Sequence, residues 1–257
     1  MTVEVVVHPD TATLVQVTAA RLLVRLVDLQ ARRSPLHVVL TGGTVGIDVL
    51  RAVAASPLRE AVDWSGVHVW WGDERFVAAD SPDRNELQAR QALLDALPLP
   101  PGNVHAIASS DTASDEDAAA AAYAAELARF AEPPNEALGI DVPAVPAFDV
   151  LLLGVGPDGH VASLFPGHPT LGSKAIVVGE ADSPKPPPGR VSLAFPAIRA
   201  AHEVWLVAAG ESKADAVASA LSGAAVERTP ASGAVGLDRT LWLVDAAAAA
   251  ALPSTAA

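Results

Sequence analysis

The run at residues 148–153, FDVLLL, is almost unbroken in apolar side chains, and it constrains the fold more than any other segment. A strand with one wet face alternates apolar and polar residues, so a run like this demands burial on both faces. It is expected to lie in the middle of a sheet with helices above and below. Other β-rich runs fall at residues 3–7, 36–40, 67–71, 175–178, 190–193, 204–208 and 241–244. Helical patterns separate them. Asp10 can cap a helix to about residue 33, with Leu14, Val17, Leu22 and Leu26 at near-helical spacing. Further helices are expected at residues 47–54, 84–97, 113–130 and 211–221. This alternation predicts an α/β fold: a single domain over residues 1–257 with a mostly parallel, doubly wound sheet and helices on both faces. Residues 132–146, with four prolines, read as a surface connection, and residues 246–257 as a frayed tail. The alanine-rich stretches at 118–125 and 246–251 reflect helix propensity and composition, not function.

The 257 residues, 51% hydrophobic, suffice for a substantial core. Seventeen Lys+Arg face 30 Asp+Glu, a formal net charge of −13. That balance disfavours a broad grip on nucleic acid or on an anionic membrane, and an anionic ligand needs a local basic pocket. Cysteine is absent, which excludes a thiolate nucleophile, a disulfide framework and a zinc–thiolate site. The N-terminus MTVEVVVHPD lacks a basic leader, and no apolar run approaches the ~20 residues that span a bilayer. A soluble cytoplasmic protein, monomeric or a small homo-oligomer, is the expectation. No HExxH-type or other compact ligand cluster occurs, so neither a metal nor a cofactor is expected.

Four chemically informative segments follow expected strands, where open α/β sheets bind ligands. In Thr41-Gly42-Gly43-Thr44, two glycines let backbone N–H groups turn toward an anion, and the hydroxyls and a following helix N-terminus add to that. The competing reading is a plain connecting turn. In Gly72-Asp73-Glu74-Arg75, the guanidinium suits a phosphate or carboxylate, and Asp73 and Glu74 could orient a hydroxyl or the arginine. A surface charge cluster is the alternative. Gly154-Val155-Gly156-Pro157-Asp158-Gly159 formally satisfies a dinucleotide-binding fingerprint, but Pro166, Gly167, Pro169 and Gly172 break the helix that fingerprint requires. What remains is a tight turn presenting Asp158 and His160, the latter of the residue type best suited to proton transfer near neutrality. The alternative is a structural histidine, the reading given to His8, His37, His68, His105, His168 and His202. In Gly210-Glu211-Ser212-Lys213, the ammonium sits one turn into a helix, within reach of a bound phosphate or simply in solvent. Arg190, after the proline-rich loop at residues 183–189, is a similar candidate.

Together and in this order, LTGGT, WGDER, GVGPDGHVASLFPG, PPPGRVSL and GESK resemble the 6-phosphogluconolactonase family, part of the glucosamine-6-phosphate isomerase/deaminase superfamily. The resemblance spans residues 36–220 and is most specific in DGHVASLFP. It implies an enzyme of α/β fold that hydrolyses 6-phospho-D-glucono-1,5-lactone to 6-phosphogluconate in the oxidative pentose phosphate pathway. It further implies that His160 is the general base activating water, with Asp158 or nearby backbone holding the ring. Thr41, Gly42, Gly43 and Thr44 would cradle the phosphate, with Arg75, Arg190 and Lys213 as charge partners. The amino-sugar-phosphate isomerases/deaminases resemble this pattern but carry a glutamate where this chain has Phe165. A non-catalytic sugar-phosphate-binding module is the remaining alternative, and this chain lacks the spare length or basic segment for a fused DNA-binding domain.

Overall fold

The computed structural model describes residues 2–131 and 144–253. Six parallel strands form the main sheet: β1 (Thr2–His8), β2 (Leu36–Leu40), β3 (Val67–Trp71), β5 (Val150–Gly154), β8 (Glu203–Ala208) and β9 (Arg239–Asp245). Their order is β1-β9-β8-β5-β2-β3. As its composition demands, β5 lies inside the sheet, paired with β8 on one side and β2 on the other. Helices cover both faces. α1 (Thr11–Gln30) and α2 (Gly43–Ala55) pack where Val38, Leu40, Val67 and Val69 project. α4 (Glu116–Ala128) lies on the opposite face, where its Tyr123 packs against Trp70. Asp10 caps α1 as expected, accepting from the Thr13 N–H at 2.7 Å.

The three-residue strand β4 (Asp73–Arg75) was not expected, nor was the second sheet it begins. β4 pairs antiparallel with β7 (Arg190–Leu193), which pairs with β6 (Val177–Glu180). β4 has no apolar alternation of its own. It is a strand because β7 supplies its partner, with Asp73 opposite Ser192 and Arg75 opposite Arg190. The same pairing shifts the strand expected at residues 175–178, since register places Glu180 opposite Arg190.

Helix ends also move. α3 (Asn85–Ala92) stops short of residue 97 because Leu93 leaves helical backbone geometry and a 3₁₀ turn follows at Leu94–Ala96. α4 starts at Glu116 because Asp115 caps it, accepting from the Ala118 N–H at 2.7 Å. Near the C-terminus, Glu211–Lys213 is a 3₁₀ turn leading into α6 (Ala214–Leu221), and a short helix α5 (Phe195–Ile198) was unforeseen. The first residues of the expected tail are packed on the fold. Asp245 Oδ1 accepts from the Ala248 N–H at 2.8 Å, and Ala248 is fully buried. Most of the expected connection at residues 132–146 and the final residues 254–257 lie outside the described residues. Among the described residues, no helix is long and apolar enough to cross a membrane.

Candidate active site

From β2 the chain proceeds to β3 on one side, whereas from β5 it proceeds to β8 on the other. The C-terminal ends of β2 and β5 therefore diverge into the crevice that open α/β sheets use for ligands. Thr41 and Gly154 meet there, the Gly154 N–H donating to Thr41 Oγ1 at 3.2 Å. The cleft measures about 270 Å³ and is lined by all four glycine-containing segments singled out in the sequence.

The turn after β5 presents the expected pair. His160 folds back so that its carbonyl accepts from the Gly156 N–H at 2.9 Å. Its ring Nδ1 then lies 2.5 Å from Asp158 Oδ1. An ionised carboxylate only accepts, so Nδ1 carries a proton, and in the neutral ring Nε2 then keeps the lone pair. Burial pushes the Asp158 carboxyl up, but the His160 hydrogen bond and the nearby charges of His160 and Lys185 outweigh it and hold the group well below the usual carboxylate range. The pair fits only because residue 156 lacks a side chain: a Cβ there would stand 1.9 Å from His160 Nδ1 and 2.4 Å from Asp158 Oδ1. Against the other side of the ring packs Phe165, centroids 4.8 Å apart.

Asp73 lines the cleft but serves as a brace. Its Oδ2 accepts from Ser163 Oγ at 2.7 Å, tying β4 to the segment after His160. Asn85, at the start of α3, donates to the Asp73 carbonyl at 2.8 Å and accepts from Arg75 Nη1 at 2.5 Å. Gly42 permits this junction, because a Cβ there would fall 1.9 Å from Asn85 Oδ1.

Glu74, expected to orient either a ligand hydroxyl or the arginine, is not among the residues that line the cleft. It is 1% exposed, and its carboxylate accepts the N–H groups of Arg75, Asn85 and Glu86 at 2.7–2.8 Å. Glu74 thus caps α3 and lies 3.8 Å from the fully buried Arg84.

Four cations line the cleft: Arg75, Lys185, Arg190 and Lys213. Arg75 and Arg190 stand opposite one another across β4 and β7, an arrangement unfavourable for like charges unless anions lie near. Burial holds the Arg190 guanidinium below its ordinary value, with Asp73 opposing and Arg75 adding to that effect. Much of Arg190 is already engaged, donating from Nε and Nη2 to the carbonyls of Lys185, Pro186 and Pro187. Lys213 is also held below its ordinary value, by burial and then by the Lys185 charge. Asp245 fixes the loop that carries it, accepting from the Gly210 N–H at 3.0 Å.

Thr41, Gly42 and Gly43 line this cleft, while Thr44 lines an adjoining hollow of about 360 Å³ that shares Lys213. α2 begins at Gly43, earlier than expected, and no side chain caps it. Its first N–H groups therefore have no side-chain acceptor from the cap residue. Sequence reasoning missed Lys185 and Asn85. Lys185 had one signal, its place in the proline-rich loop five residues before Arg190; Asn85 had none. Among the described residues, no group of three or more His, Asp or Glu side chains is arranged to hold a metal.

The geometry can be set beside known proteins. The family described as glucosamine-6-phosphate isomerases/6-phosphogluconolactonase matches residues 9–242. The 6-phosphogluconolactonase of Streptomyces coelicolor is 57% identical over 255 residues, covering 98% of this chain and 95% of that protein. That of Mycobacterium tuberculosis is 46% identical over 257 residues, covering 99% of this chain and 100% of that protein. The structure of 6-phosphogluconolactonase from Trypanosoma brucei superposes with a TM-score of 0.82 at 28% identity, covering 98% of this chain and 99% of that one. The chain belongs to the glucosamine-6-phosphate isomerase/6-phosphogluconolactonase family.

Proposed function

We propose that this chain hydrolyses 6-phospho-D-glucono-1,5-lactone to 6-phosphogluconate, as a step of the oxidative pentose phosphate pathway, with His160 as general base. The observation that carries the reading is the Asp158–His160 pair at 2.5 Å inside a cleft lined by four cations, on a chain of net charge −13. Nε2 takes a proton from water, and the resulting hydroxide adds to the lactone carbonyl carbon. The tetrahedral oxyanion then collapses, the bond to the ring oxygen breaks, and the imidazolium returns the proton to that oxygen. Asp158 holds the ring and stabilises its protonated form. Arg75, Lys213 and the open N-terminus of α2 would hold the phosphate, with Thr41, Gly42, Gly43 and Thr44 shaping its cradle and Arg190 as a further charge.

Phe165 argues against the isomerase/deaminase alternative. The position where those enzymes' motif has a glutamate is here an apolar ring, 1% exposed and packed on His160. The test is substrate discrimination. The protein is expected to speed the loss of freshly generated lactone with 6-phosphogluconate as product, and to release no ammonia from glucosamine 6-phosphate. Ammonia release without lactone turnover would replace this reading with the deaminase. Binding of 6-phosphogluconate with neither reaction would replace it with a sensing module.

A further inference from the structure

The reaction scheme above leaves one close neighbour of the dyad unused. Lys185 Nζ lies 3.3 Å from Asp158 Oδ1 and 3.0 Å from His160 Nδ1, closing a triangle whose third side is the 2.5 Å bond between those two atoms. An ammonium has donors and no acceptor. Were it to donate to Nδ1, the ring proton would have to sit on Nε2, and the ring could not act as a base toward the cleft. If it donates to Oδ1, Nδ1–H donates to the same oxygen and Nε2 keeps its lone pair. The 2.5 Å separation fits only the second arrangement, because an unprotonated nitrogen and a carboxylate oxygen repel.

Lys185 is also placed with care. Its carbonyl and those of Pro186 and Pro187 accept from the Arg190 guanidinium at 2.8–3.2 Å, and Arg190 is 5% exposed. Ser183 Oγ accepts from the Lys185 N–H and donates to the Lys185 carbonyl, both at 3.2 Å. The ammonium stands 6.0 Å from the centroid of the Phe165 ring. A surface lysine free to sample its rotamers has no such fixed backbone. Asp158, in contrast, sits at the rim, and among the described residues its carboxylate bonds only to His160 and Lys185.

We infer that Lys185 is a positioning residue for the proposed reaction: it anchors Asp158 Oδ1 against Nδ1 and so keeps His160 in the tautomer whose Nε2 is a free base. The inference rests on the reading of His160 as the base. Arg190 then acts at one remove, by holding the loop that delivers Lys185.

The test uses Lys185→Met and Lys185→Arg in the full chain, each checked for native circular dichroism. For Lys185→Met, kcat on the lactone is expected to fall about 10- to 100-fold with KM within about threefold, because one charge-assisted hydrogen bond is lost from the dyad and not from the phosphate. Lys185→Arg is expected to recover much of that loss. In ¹⁵N NMR of the histidines at alkaline pH, wild-type His160 is expected to carry its proton on Nδ1, and Lys185→Met to show a mixture of tautomers. A raised KM with unchanged kcat would make Lys185 a phosphate ligand and overturn the inference. An unchanged tautomer in Lys185→Met would overturn it as well. Failure of the wild type to accelerate lactone opening would instead count against the proposed activity, and the tautomer measurement still decides the role of Lys185.

Discussion

Replacing Gly156 by alanine adds one methyl group at the point where the proposed dyad is most crowded. The new Cβ would stand 1.9 Å from His160 Nδ1 and 2.4 Å from Asp158 Oδ1, where ordinary contacts begin near 3.4 Å. The imidazole must therefore retreat by roughly 1.5 Å, further than a hydrogen bond can stretch and survive. Gly156 is not among the glycines with positive φ, so the backbone accepts alanine and the closest clashes fall on the dyad. Loss of a positioned general base lowers the rate by about 10²- to 10⁴-fold, or about 3–5 kcal/mol of transition-state stabilisation. The three atoms nearest the new methyl all belong to His160 and Asp158, so affinity for 6-phosphogluconate is expected to stay within a few fold. The assay is lactone hydrolysis coupled to oxidation of 6-phosphogluconate, beside product binding by calorimetry. A Gly156→Ala protein with a rate within tenfold of wild type would refute the reasoning, since the dyad would then have no part in the rate.

Four further outcomes follow from the same geometry. Lys213→Ala is expected to weaken 6-phosphogluconate binding about 10- to 100-fold, the loss of one charge-assisted contact, as titration calorimetry would register. Asp158→Asn is expected to lower kcat at least about a hundredfold with little change in KM, since the amide can hold the wrong tautomer of His160; steady-state kinetics decide it. Glu74→Ala is expected to destabilise the protein by about 3–5 kcal/mol, leaving the Arg75, Asn85 and Glu86 N–H groups without their acceptor and removing one of the two carboxylates beside Arg84, while KM of the folded fraction is unchanged; thermal denaturation reads this. Burial, with the neighbouring His68, His105 and Arg33, pushes His37 down to about 3, and His68 and His105 are lowered for the same first reason. The unfolded chain therefore binds more protons than the folded one below about pH 6.5. Stability is full above that pH and falls as the medium is acidified toward pH 3, by about 2 kcal/mol at pH 5 for His37 alone. His37→Gln, which keeps an acceptor for the Trp70 indole, is expected to flatten the decline of Tm between pH 7 and pH 5.

The main sheet was legible because each central strand carries its own pattern. Residues 36–40 and 67–71 are strands over those bounds, and the apolar run ending at Leu153 lies inside the sheet its composition requires. The small antiparallel sheet was legible only in part: residues 190–193 were expected as a strand, but the charged triplet Asp73–Arg75 is made a strand by a partner 119 residues along the chain, Asp73 pairing with Ser192. The site follows the same division. Its glycine motifs stand at strand ends, where chain order alone predicts convergence. Lys185 reaches His160 across 25 residues of loop and short strand, a contact with no local periodicity to betray it. Glu74 was left between orienting a ligand hydroxyl and orienting the arginine because a sequence shows that a carboxylate is present, not which donors claim it. Here the first turn of α3 claims it.

The central claim is that His160, oriented by Asp158, activates water for attack on the lactone. The most direct measurement compares hydrolysis of freshly generated 6-phospho-D-glucono-1,5-lactone by wild type and by His160→Ala, each against the spontaneous rate. The account predicts rapid wild-type turnover and a loss of about two to four orders of magnitude in the variant, with 6-phosphogluconate binding largely retained. A His160→Ala protein as fast as wild type, or a wild type no faster than the spontaneous reaction, would contradict it.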